Sequence, residues 1–107
     1  MPTFLVIYRH SPENCGAFND KARKAVEELA RKQDERCKKH GVKIVEEWHV
    51  PEEHIIFVVY EAPSLEAFQR YNMEPEVLAM SEYETAEIKI VYRMKEAMKI
   101  LRARAGR

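Results

Sequence analysis

Two histidines set either side of a short acidic turn are the residues most suited to chemistry. In "WHVPEEH" (48–54), His49 closes one apolar run and His54 opens the next, with Pro51 and Glu52 forming the turn. Imidazole titrates near neutrality, so either ring can move a proton, and neutral imidazole is also a common metal ligand. With four residues between them, a hairpin predicts His49 and His54 as direct cross-strand partners pointing to the same face. Strand alternation adds Tyr8, His10, Glu47 and Tyr60 to that face. His10, His49, His54, Tyr8 and Glu47 are therefore the candidate catalytic residues, with an imidazole as acid or base and Glu47 to orient it. An alternative use of the same side chains is metal binding. His49 and His54 offer two ligands for a transition metal such as Zn, Ni, Cu or Fe, with His10, Cys15 or a glutamate completing the set. The plain alternative is that the histidines are exposed strand ends and the tyrosines are packing residues. Cys15 reads either as a small apolar residue at a helix start or as a thiol of lowered pKa there.

The elements that must hold these residues follow from pattern. "TFLVIYRH" (3–10) is a β-branched and aromatic strand. "SPEN" starts a helix, with Ser11 as N-cap, Pro12 at its first position and Glu13 in the first turn. Phe18, Ala22, Ala25, Val26, Leu29 and Cys37 continue it at helical spacing to "KKHG", where His40 and Gly41 suit a helix C-terminus. Strands are predicted at 42–50 and 54–62. A helix capped by Ser64 follows, interrupted near Pro75 and resuming over 77–80; a fourth strand (85–93) and an amphipathic helix, "MKEAMKILRARA", complete the chain.

This order is β-α-β-β-α-β plus a C-terminal helix, the α+β ferredoxin-like arrangement of an antiparallel sheet with helices on one face. The usual strand order is 4-1-3-2, and the up-down course of the chain brings one end of each hairpin to a common rim. His10, Glu13, Asn14, Cys15, His49, Glu52, Glu53, His54, Tyr83 and Glu84 gather there.

Both central strands are apolar on both faces: Leu5 and Ile7 against Phe4, Val6 and Tyr8, and Ile55, Phe57 and Val59 against Ile56, Val58 and Tyr60. A sheet with one wet face would show polar residues in one set. The more uniformly apolar set, Val42, Ile44, Trp48, Ile55, Phe57 and Val59, is assigned to the helices. The other face, carrying Tyr8, His10, Glu47, His49, His54 and Tyr60, is then left to pack against a second copy, which makes the protein a homodimer with a cavity between subunits. Coverage by the C-terminal helix is the competing solution.

Composition narrows the partners. The chain has 107 residues, one domain's worth, with 46% hydrophobic and 34% charged side chains. Eighteen basic residues balance eighteen acidic ones, which argues against nucleic acid. The basic tail "RARAGR" reads as a solvated end. No apolar run reaches the roughly 20 residues of a membrane span, and "MPTFLVIYRH" lacks the basic n-region of a signal peptide. A cytoplasmic location is expected. Cys15 and Cys37, near the two ends of one predicted helix, would lie about 33 Å apart and cannot bridge.

Over residues 3 to about 93, the βαββαβ order, the doubly apolar central strands and the length resemble the dimeric α+β barrel superfamily. That group includes antibiotic-biosynthesis-type monooxygenases, muconolactone-isomerase-like enzymes and haem-degrading and chlorite-dismutase-related proteins. The resemblance implies a homodimer that binds a small molecule, as a cofactor-independent oxygenase or isomerase using histidine acid–base chemistry. Its alternatives are a metal- or haem-binding protein with a histidine-rich rim, or a non-catalytic ligand-binding dimer. No haem-degrading Asn/Trp/His set can be placed on these residues.

Overall fold

The computed structural model describes residues 1–106. Four strands form one antiparallel sheet in the order β2-β3-β1-β4, with β1 at Thr3–Arg9, β2 at Lys43–Val50, β3 at Ile55–Glu61 and β4 at Thr85–Val91. This is the ferredoxin-like α+β order the sequence predicts. Five helices accompany it: α1 (Asp20–Arg31), α2 (Gln33–His40), α3 (Leu65–Asn72), α4 (Pro75–Ala79) and α5 (Met94–Ala105).

The first helix departs from expectation. Ser11 and Pro12 start only a single 3₁₀ turn, and Ser11 makes no side-chain cap bond. The helix proper begins at Asp20, where the Asn19 side chain accepts from the Ala22 N–H at 3.0 Å and donates to the Glu13 carbonyl. Asn19 therefore outcompetes Ser11 as the cap, because its amide satisfies two backbone groups at once. Phe18, expected in the buried stripe, is 77% exposed as a result. The helix also breaks at Lys32, so Cys15 and Cys37 do not share one helix; both are free thiols. Later features follow the sequence more closely. Gly41 (φ 68°) is the left-handed cap of α2, and the Ser64 hydroxyl caps α3 at Ala67.

The core lies between α1–α4 and the sheet face carrying Phe4, Val6, Val58 and Tyr60, with Phe68 and Tyr71 from α3. Phe4 and Phe68 stack at 4.4 Å between ring centroids, and Tyr60 tilts onto Phe68 at 5.0 Å. The helices thus cover the opposite face from the one the sequence assigned to them. Two physical causes explain the reversal. The Tyr8 and Tyr60 hydroxyls share a hydrogen bond of 2.8 Å, so burying these polar tips leaves neither phenol unsatisfied. A β-bulge between Ile44 and Glu46 also resets the alternation of β2, so that Ile44, Glu47 and His49 all face the helices. Leu5, Ile7, Phe57 and Val59, with Trp48 51% exposed beside them, form the other face.

α5 does not cover that face. Its apolar residues Met94, Met98, Ile100 and Leu101 are exposed, and it packs extensively on no other element. The radius of gyration is 16.0 Å, above the about 13 Å of a compact chain of about 100 residues. Among the described residues, no helix is long and apolar enough to cross a membrane.

Candidate functional site

A cavity of about 470 Å³ opens between the sheet and helices α1, α3 and α4. That falls in the range of small-molecule sites, about 300–1,000 Å³. Val6, Ile56, Val58 and Ile88 of the sheet form its floor, and Val26, Leu29, Val77, Leu78 and Met80 supply apolar cover. Few polar groups enter: the Tyr8–Tyr60 pair, Glu47, Glu84 and Arg36 among them.

Each polar group has a distinct state. Burial keeps both phenols protonated beyond the usual tyrosine range, so the pair works as a neutral hydrogen-bonding unit. Glu84 sits in the loop before β4, with its N–H donating to the Met80 carbonyl at 3.0 Å. Burial alone pushes its carboxyl up to about 7. Arg36 is 3% exposed; its Nη1 donates to Glu76 at 3.1 Å and to the Leu29 carbonyl at 3.2 Å, and the guanidinium lies 5.0 Å from the Tyr71 ring centroid. Its Nε is buried and has no hydrogen-bond partner among the described residues.

Of the five sequence-derived catalytic candidates, Tyr8 and Glu47 line this cavity, and His10, His49 and His54 do not. The histidines gather at the rim in a different pairing from the expected one. His49 pairs with Ile56, because β2 and β3 close at Val50–Ile55 and residues 51–54 form the loop. His54 cannot continue a strand: it caps the 3₁₀ turn Pro51–Glu53 in the left-handed conformation, φ 54° and ψ 44°. It meets His10 instead. The His10 N–H donates to the His54 carbonyl at 3.2 Å, and His54 Nδ1 stands 3.3 Å from His10 Nε2. Cys15, just after the 3₁₀ turn at 12–14, completes a group whose Nδ1/Nε2 and Sγ atoms all lie within 4.8 Å of one another. His49 stays outside this group. It still acts on it: burial, then the charges of His54 and His49, hold His10 below the ordinary imidazole range. His40, read from sequence as a helix-end residue, bonds Glu74 at 2.7 Å, far along the chain from the rim group.

Arg36 and Glu84 are the cavity residues that pattern reading passed over in their roles. Arg36 carried a signal: Ala22, Leu29 and Arg36 recur at seven-residue intervals, so a charged residue falls on the buried line of the helices. Topology placed Glu84 at the rim, but no pattern marked its carboxyl as buried against the cavity.

Residues 2–105 match the family described as a domain of unknown function, DUF3303. The chain belongs to that family. No curated protein matches it. The crystal structure of protein Atu4242 from Agrobacterium tumefaciens is similar, with a TM-score of 0.57 and 19% identity, over 86% of this chain and 92% of that one. At that identity the likeness to this DUF3303 chain is one of fold.

Proposed function

We propose that the protein is a homodimer whose subunits each bind one neutral, mostly apolar small molecule in the cavity between sheet and helices. The observation that carries this reading is the cavity itself: about 470 Å³, apolar walls, and a few convergent polar groups. The tyrosine pair favours a ligand with an oxygen that can exchange a hydrogen bond with its hydroxyls. A carboxyl near 7 is half protonated at neutral pH and can take a proton from, or return it to, an enolisable or phenolic ligand. The acid–base role that the sequence gave to histidine therefore passes to Glu84, with Tyr8 and Tyr60 orienting the ligand oxygen. Such proton abstraction is the step that cofactor-independent oxygenases and isomerases share.

Dimerisation is supported by the uncovered sheet face and by α5. Leu5, Phe57, Val59 and Trp48 present an apolar surface opposite the helices, and Met94, Met98 and Leu101 of α5 are exposed. In this reading the two sheets pack face to face and each α5 lies on the other copy.

Fluorescence titration with naphthol, a neutral aromatic alcohol of suitable size, tests the cavity. Saturable binding of one molecule per chain is expected, and Ala86→Trp, which adds bulk at the cavity wall, is expected to weaken it at least about tenfold. Equal affinity in the variant would contradict the reading.

A further inference from the structure

The rim group is chemically separate from the cavity and makes a claim of its own. Its three donors come from three different segments: His10 from the end of β1, Cys15 from the turn after it, and His54 from the β2–β3 loop. All three side chains are half-buried, so solvent reaches them. We propose that His10, Cys15 and His54 bind a divalent transition-metal ion of the zinc type, as a three-ligand site whose fourth position is open to water.

Three independent features support it. The first is distance. Two imidazole nitrogens on tetrahedral zinc, each about 2.0–2.1 Å from the ion, stand about 3.3–3.4 Å apart; His10 Nε2 and His54 Nδ1 are 3.3 Å apart. The second is donor chemistry. Imidazole with thiolate is a soft, borderline set that selects zinc and its neighbours over calcium or magnesium. The third is backbone strain. His54 is the single non-glycine residue with positive φ among the described residues. A left-handed non-glycine residue is strained, and such residues recur at functional sites. Glycine would satisfy that turn without strain. Histidine there turns its ring onto His10.

The same feature supplies a clean test. His54→Gly removes a ligand while relieving the backbone, so the variant remains folded. Metal-free full-length protein is titrated with Co²⁺, followed by its visible bands and its thiolate-to-cobalt charge-transfer absorption, and then with Zn²⁺ in competition. The wild type is expected to take one equivalent per chain with a thiolate charge-transfer band. Cys15→Ser is expected to lose that band, whereas Cys37→Ser keeps it. His54→Gly is expected to melt at or above the metal-free wild type and to bind about 100-fold more weakly or worse, since even outer partners of metal ligands are worth about 10–100-fold. No saturable uptake by the wild type, a charge-transfer band surviving in Cys15→Ser, or wild-type affinity in His54→Gly would each overturn the proposal. None of these readouts depends on the cavity binding a ligand.

Discussion

Glu84 carries the proton transfer in the proposed reading, and its pH behaviour follows from its burial. Its folded value of about 7 exceeds the about 4.3 of a free glutamate, so the folded state holds the proton more tightly than the unfolded chain. The stabilisation is fully present below about pH 4 and is lost as pH rises through about 7. Glu84→Gln removes this dependence. Denaturant unfolding should find the variant more stable than wild type at pH 8, by on the order of 2 kcal/mol after allowing for partial hydration, with the gap closing toward pH 4. Curves that stay parallel across that range would show a carboxyl with an ordinary value. The tyrosine pair obeys a different rule. Tyr8→Phe or Tyr60→Phe leaves one buried hydroxyl unpaired and should cost about 1–3 kcal/mol, while the double variant should cost less than the sum of the two. At Arg36, removing the partner carboxylate with Glu76→Ala strands a buried charge and should cost about 3–5 kcal/mol by the same measurement.

At the scale of elements, the strands and their order were readable because the signal is strong and local. "TFLVIYR" and "IIFVVYE" are β-branched and aromatic throughout, and both lie in the middle of the sheet. What was not readable depended on single residues deciding between near-equal outcomes. Asn19 won the helix cap from Ser11 by bonding two backbone groups. The bulge at 44–46 moved Ile44 onto the face of Glu47 and His49, and no pattern of alternation marks where an extra residue will be accommodated. The left-handed His54 moved the partner of His49 two residues along β3, from His54 to Ile56, which put His54 against His10 and parted it from His49. The rim gathering of His10, Cys15 and His54 followed from topology; their contact followed from that one backbone conformation. α5 was placed correctly from its amphipathic pattern, and its unpartnered stripe gives an element-scale test. Under the proposed dimer, truncation after Arg93 should yield a monomer in sedimentation velocity while the circular dichroism of the remaining fold persists. A truncated chain that still sediments as a dimer would assign the association to the sheet face alone.

For the whole molecule, two apolar surfaces compete as binding sites: the cavity under α1, α3 and α4, and the open sheet face opposite. They have opposite roles in the proposal, one for a small molecule and one for a second copy. Val6, Ile56, Val58 and Ile88 report the first, and Leu5, Ile7 and Val59 the second. Methyl NMR of the ¹³C-labelled full-length protein, titrated with naphthol, separates them in a single experiment. Shift changes confined to the Val6, Ile56, Val58 and Ile88 methyls are expected. Changes centred on Leu5, Ile7 and Val59, or none at saturating ligand, would contradict a small-molecule site between sheet and helices.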